Sequence, residues 1–239
     1  MLSLFSYCAA AIMHPQTPLY MKLKLLLLVA LFIFANNAFA QKGFPFENEI
    51  RAFQKQDSIS FPKPNGILFI GSSSIRLWDD LEQRFAGQNI IKRGVGGAEM
   101  GQLTDYYAPY ILLPYRARKV FIFAGENDIA AGKSATFVAG KFAKLWQLIH
   151  QQSPATEIYF LSIKLSPSRI KFRNEVLQAN ALIRQYLVSK SKSHYVDLAP
   201  AIYKPGTTRS DSALFKPDYL HLNSNGYDKW QAVLEPLVK

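Results

Sequence analysis

The chain has 239 residues, with 28 Lys and Arg against 17 Asp and Glu, a formal net charge of +11, 49% hydrophobic residues, one cysteine and four histidines. That length corresponds to one domain with a short extension, and a single cysteine among scattered histidines makes neither a disulfide scaffold nor a zinc cluster. Thirteen glycines, thirteen prolines and 19% charged residues exclude collagen and disorder and leave enough apolar mass for a core.

The first forty residues differ from the rest. Met21 is followed by Lys22 and Lys24, the unbroken apolar run Leu25 to Ala35, and Asn36-Asn37-Ala38-Phe39-Ala40 before Gln41. A basic start, an apolar stretch of about 7 to 15 residues and a small-x-small end are the parts of a secretory signal peptide. The run is shorter than the roughly 20 residues that span a bilayer. Residues 1–40 are therefore expected to be a leader removed after Ala40, with translation starting at Met1 or Met21 and the mature protein periplasmic or secreted. Cleavage would take away Cys8, His14, Lys22 and Lys24, leaving 26 basic against 17 acidic residues, a charge of +9, and only His150, His194 and His221. No thiol chemistry would remain, and no disulfide would support the exported fold.

Residues 41–65 read as an N-terminal arm with a short helix, closed by Pro62 and Pro64. From Gly66 onward, apolar runs alternate with helical patterns. The runs are Gly66 to Gly71, Asn89 to Ile91, Lys119 to Ala124, Ile158 to Ser162 and Tyr195 to Leu198. Strands apolar on both faces mark a parallel sheet covered by helices. Val138, Phe142, Leu145 and Ile149 repeat at helical spacing after a Ser134 cap, Val176, Ile183 and Leu187 do so again, and Tyr227, Trp230, Val233 and Leu234 mark a last helix. Residues 66–239 thus form a three-layer α/β/α domain.

In such sheets ligands bind outside the carboxyl ends of the strands. The segments found there are Gly71-Ser72-Ser73-Ser74-Ile75-Arg76, Arg93-Gly94-Val95-Gly96-Gly97-Ala98 and Gly125-Glu126-Asn127-Asp128, with Asp218-Tyr219-Leu220-His221 just before the last helix. A serine hydroxyl attacks an acyl carbon only when an imidazole takes its proton, and a carboxylate fixes the imidazole tautomer. Asp218 and His221 are three residues apart, so one turn can bring carboxylate and ring together. The resulting oxyanion needs donors, and the Ser73 N–H, the Gly97 N–H and the Asn127 amide are available.

These four blocks, in this order, resemble the SGNH hydrolases, also called GDSL-type esterases and lipases, from about Gly66 to the C-terminus. The resemblance implies a flavodoxin-like fold with a five-stranded parallel sheet in order 2-1-3-4-5. It implies Ser73 as nucleophile, His221 as general base and then acid, Asp218 as its orienter, and Ser73, Gly97 and Asn127 as the oxyanion hole. It implies no cofactor and no metal. The family's acidic residue after the first glycine is Ser72 here, and its leucine is displaced by Ser74-Ile75. Three adjacent hydroxyls therefore compete, with the register from Gly71 favouring Ser73.

Other conspicuous residues have plainer readings. His150 and His194 read as solvated, Asp128 as a loop brace, Asp197 as a cap, Asn180 as a buried hydrogen-bonding group, and Tyr107, Tyr110 and Tyr115 as packing residues. Gly132-Lys133-Ser134 imitates a phosphate loop but has Asn127 where that loop needs glycine, and Gly94-Val95-Gly96 has Glu99 where a dinucleotide fingerprint needs its third glycine. The basic residues are dispersed rather than clustered, which argues against nucleic acid as partner. The expected activity is hydrolysis of carboxylic esters, with short acyl or acetyl esters favoured by the absence of a long apolar insertion. Carbohydrate O-deacetylation, lysophospholipase or thioesterase activity, and a non-enzymatic envelope-polymer binding module, are the alternatives. The expected partner is a small-molecule or glycan ester, without stable membrane insertion after signal cleavage.

Overall fold

Strands β1 (Ile67–Gly71), β2 (Ile90–Gly94), β3 (Lys119–Phe123), β4 (Glu157–Leu161) and β5 (Ser193–Val196) pair in parallel in the order β2-β1-β3-β4-β5. This is the expected five-stranded flavodoxin-like sheet, seen in a computed structural model that describes residues 43–239 together with Pro18, Leu19, Met21 and Lys24. The chain divides into two units, Met1–Phe44 and Pro45–Lys239, and the sheet belongs to the second. Apart from those four residues the expected leader, with its cleavage site after Ala40, lies outside the described residues, among which no helix is long and apolar enough to cross a membrane.

The helices used below are α1 (Glu47–Ile59), α2 (Ser73–Arg76), α3 (Glu126–Ala130), α4 (Ala135–Gln152), α5 (Arg173–Val188) and α6 (Ser224–Val238). Strand side chains alternate between the two faces of a sheet. Ile67, Phe69, Phe121, Phe123, Tyr159 and Leu161 therefore share one face, where they cluster with Tyr227, Trp230, Leu234 and Val238 of α6. On the other face Phe160 meets Phe142 of α4 at a ring separation of 4.8 Å, and α4 packs along α5. The Ser134 cap is present, its hydroxyl accepting from the Phe137 N–H at 3.2 Å.

The central strands fall within one residue of the expected runs, whereas both edge strands are displaced. β2 continues through Lys92 and Arg93 to Gly94, and β5 starts at Ser193 rather than Tyr195. An edge strand covers less apolar surface, so its polar residues do not mark its end. Arg93 is 5% exposed and still belongs to β2, because its guanidinium pairs with Asp57 of α1 and accepts company from Tyr115, whose hydroxyl receives the Arg93 Nε–H at 2.6 Å. The same Tyr115 hydroxyl donates to Asp57 at 2.5 Å. This buried triad joins the arm helix to the sheet, and Ile50, fully buried, adds an apolar anchor.

Breaking a buried ion pair from one side leaves an uncompensated charge. Asp57→Ala is expected to lower unfolding stability by about 3 to 5 kcal/mol in urea titrations, whereas Arg51→Ala, whose side chain is 68% exposed beside Glu47, is expected to change it by less than about 1 kcal/mol.

Candidate active site

The order β2-β1-β3 reverses the direction of winding at β1, which opens a crevice at the carboxyl ends of β1 and β3. Gly71 ends β1 where a Cβ would stand 2.0 Å from the Phe123 carbonyl oxygen, so only glycine lets the chain turn this tightly against β3. The chain then enters α2, with Ser73 at its first position. Ser72 and Ser74 are buried, at 2% and 1% exposure, and Ser73 between them is half-buried. Of the three adjacent hydroxyls, Ser73 is the one that meets the imidazole, its Oγ lying 2.9 Å from His221 Nε2. The Ser74 hydroxyl points inward instead, 3.2 Å from Lys164 Nζ.

Asp218 and His221 form the single turn expected from their spacing. Asp218 Oδ2 lies 2.6 Å from His221 Nδ1, and Oδ1 accepts the backbone N–H groups of Leu220 at 2.9 Å and His221 at 3.0 Å. Burial pushes the Asp218 carboxyl up, but hydrogen bonds from the His221 backbone and ring and from Leu220 outweigh it and bring the group to about 2. Ser168 secures the turn from outside, donating its N–H and hydroxyl to the Tyr219 carbonyl at 3.1 and 3.0 Å.

Three hydrogen-bond donors are placed at the strand ends. Neither the Ser73 N–H nor the Gly97 N–H has an acceptor among the described residues. The Asn127 amide is fixed from both ends: its Oδ1 accepts from Arg169 Nη1 at 2.9 Å and its Nδ2 donates to the Ala98 carbonyl at 3.0 Å. The Arg169 contact dictates which end of the amide is nitrogen, and one Nδ2–H remains free. Arg169 was not indicated by any strand-end motif, since it lies on the loop between β4 and α5.

Beneath these loops runs a buried polar network that sequence spacing did not reveal. Lys164, 1% exposed, pairs with the Glu126 carboxylate, donates to Ser74 and lies 5.2 Å from the Phe123 ring centroid. Glu126 Oε1 also accepts the Ser166 hydroxyl at 2.8 Å. Burial pushes the Lys164 ammonium down from the ordinary lysine value, and the adjacent Glu126 carboxylate pulls it back up. The network binds the residue after Ser73 to the residue before Asn127. A lysine framed by serines and apolar residues, Ser162-Ile163-Lys164-Leu165-Ser166, just past β4 is the one signal that could have pointed to it.

The remaining residues take mostly the plainer roles. Asp128 is fully buried and braces a loop 28 residues away, accepting the Met100 and Gly101 N–H groups at 2.7 and 3.3 Å, and burial pushes its carboxyl up. Asn180 donates to and accepts from the Ile163 backbone, both at 2.9 Å. Asp197 caps Ala199 and pairs with Arg184. His150 stacks on Trp146 and His194 on Tyr159. Tyr107 and Tyr115 are buried as expected, but Tyr110 is 38% exposed. A groove of about 490 Å³ between α5 and β5 contains none of Ser73, Asp218 or His221.

A serine, an imidazole and a carboxylate joined in series at the strand ends of a flavodoxin-like sheet define an α/β protein of the SGNH type. The chain belongs to the GDSL-like lipase/acylhydrolase family, whose model matches residues 58–229, and it is a hydrolase acting on ester bonds. Its fold is similar to a Streptococcus pneumonia chain provisionally named a platelet activating factor (TM-score 0.71, 20% identity, 88% of this chain and 99% of that one). It is also similar to a GDSL-like lipase from Bacteroides thetaiotaomicron (TM-score 0.65, 17% identity, 79% and 96%) and to a family 3 carbohydrate esterase from Clostridium thermocellum (TM-score 0.57, 15% identity, 74% and 100%). Among curated proteins it is 26% identical over 187 residues to an N-acylneuraminate cytidylyltransferase of Escherichia coli, a match that covers 75% of this chain and 42% of that protein.

The buried pair generates a stability test. Lys164→Met leaves Glu126 buried and unpaired and is expected to cost about 3 to 5 kcal/mol in urea unfolding. Adding Glu126→Gln to that variant is expected to recover a measurable part of the loss, the signature of coupled neighbours.

Proposed function

We propose that this chain is an exported serine esterase that hydrolyses short acyl or acetyl esters through Ser73, His221 and Asp218. Ser73 Oγ attacks the acyl carbon while His221 Nε2 takes its proton, and Asp218 holds the ring in the tautomer that leaves Nε2 free to accept. The tetrahedral oxyanion is stabilised by the Ser73 N–H, the Gly97 N–H and the Asn127 amide. His221 returns its proton to the leaving alcohol oxygen, an acyl-enzyme forms, and a water activated by the same imidazole releases the acid. The observation that carries the reading is the continuous relay, 2.9 Å from Ser73 to His221 and 2.6 Å from His221 to Asp218.

The preference for short acyl groups is supported by the lack of a long apolar insertion between the strands. Glycan-linked acetyl esters fall within the same reading, and the carbohydrate esterase among its fold relatives keeps them as the first macromolecular substrates to assay. Export rests on the basic, apolar and small-x-small order of residues 21–40. A polymer-binding module without chemistry would not need three aligned triad groups or two backbone donors with no acceptor among the described residues.

With a chromogenic acetyl ester, Ser73→Ala is expected to abolish turnover, and equal rates for wild type and variant would reject the assignment. Asn127→Ala is expected to lower kcat by about 10² to 10³, and a loss below about threefold would remove Asn127 from the oxyanion hole. The hydrogen bonds to Asp218 fix the sign of its pH effect. A carboxyl depressed from about 3.9 unfolded to about 2 folded stays ionised throughout the neutral and mildly acid range. Its contribution to stability is fully present above about pH 4 and is lost as pH falls through about 2. Asp218→Asn is expected to remove that segment of the acid-unfolding curve and to lower kcat by about 10³ to 10⁴ at neutral pH.

A further inference from the structure

The arm that precedes the family-matched residues reaches the loop carrying Gly97. Phe46 stands immediately before α1 with φ +57, and its carbonyl accepts the N–H groups of Glu49 and Ile50 at 3.0 and 3.3 Å, so its backbone is fixed as the opening turn of the helix. The preceding carbonyl, that of Pro45, accepts the Tyr107 hydroxyl at 2.7 Å. Three residues on, Glu49 Oε2 accepts the Gly96 N–H at 3.0 Å, which ties the arm to the residue beside Gly97. The backbone that carries Phe46 is therefore fixed on both sides, and a Cβ at Gly97 would lie 3.2 Å from the tip of its ring.

This placement is unusual for a phenylalanine. Its ring is 41% exposed, in contact with an exposed glycine whose φ is +77 and whose N–H has no acceptor among the described residues. The space that a side chain at position 97 would fill is bordered by an aromatic ring supplied from 51 residues earlier. An apolar wall beside a donor that has no acceptor among the described residues shapes whatever group binds that donor.

We propose that Phe46 is a specificity-determining residue that walls the acyl side of the site at Gly97 and restricts the protein to short acyl groups. The inference rests on the reading of Ser73 as nucleophile and of Gly97 as an oxyanion donor. An acyl oxygen bound at the Gly97 N–H brings the first carbons of its chain against the ring. An acetyl methyl is accommodated there, and a longer chain has to displace a ring whose backbone is anchored through Pro45 and Glu49.

The test compares kcat/KM for acetyl and octanoyl esters of one chromogenic alcohol in wild type, Phe46→Leu and Phe46→Ala, with thermal unfolding midpoints as the check on folding. The octanoyl-to-acetyl ratio is expected to rise by about tenfold or more in Phe46→Ala and by less in Phe46→Leu, on the scale that one or two methylene groups carry in an apolar pocket. A merely structural role would lower both rates together and leave the ratio where it was. A ratio within about twofold of wild type in both variants, or one that falls, would overturn the proposal. Ser73→Ala run beside them separates the two readings: Ser73-dependent turnover with an unchanged ratio rejects the wall alone, whereas the absence of Ser73-dependent turnover rejects both.

Discussion

The Lys164 ammonium, 1% exposed, lies where three loops of the sheet's carboxyl end converge. Its pairing with Glu126 and its hydrogen bond to Ser74 are satisfied only when the turn after β1, the turn after β3 and the segment after β4 are all in their native positions. A charge so far from water is tolerated when paired and hydrogen-bonded and is costly otherwise. The network therefore penalises every arrangement in which the loops drift apart. It sets a geometric condition where apolar packing alone would set none, at the depth where a small displacement would separate Ser73 from Asn127.

Above that floor the reacting groups have little freedom. The Asp218 carboxylate is held by two backbone N–H groups as well as by the imidazole, so the ring cannot turn without giving up a charge-assisted contact. Asn127 is held at both ends of its amide, and the Ser73 and Gly97 N–H groups point out of a tight turn and a left-handed glycine. In the proposed reaction, donors fixed before the oxyanion exists would cost no reorganisation when it forms. The fold supplies this stiffness through Gly71, which presses the turn bearing Ser73 onto the carbonyl of the neighbouring strand.

Much of this was legible in the residues themselves. β1, β3 and β4 are apolar on both faces, so their runs and their ends were plain, and each strand end marked a loop with a serine, a glycine or an asparagine in place. The Asp218 to His221 spacing needed only one turn to become a contact. The edges were harder. Lys92 and Arg93 looked like the end of β2 because their polarity is compensated across the fold, by the Trp78 carbonyl and by Asp57. Lys164, Glu126, Arg169 and Glu49 were silent for a related reason. Their partners stand 38 to 47 positions away or answer to a backbone group, and no periodicity encodes a pair closed by tertiary structure. Phe46 was hidden still more thoroughly, since an aromatic residue in an arm carries no pattern until the glycine it covers is known.

The two ends of the Pro45–Lys239 unit are not equivalent. At its far end the Leu237 and Lys239 carbonyls receive the Lys119 ammonium, at the amino-terminal start of β3, the opposite end of the strands from Ser73 and His221. Its near end begins at Pro45, against the loop that bears Gly97. An affinity tag, a surface tether or a fusion partner joined beyond Lys239 hangs from the inert side of the molecule. The same attachment joined just ahead of Pro45 emerges beside the mouth of the site, where its bulk would screen large polymeric esters before it hindered small ones.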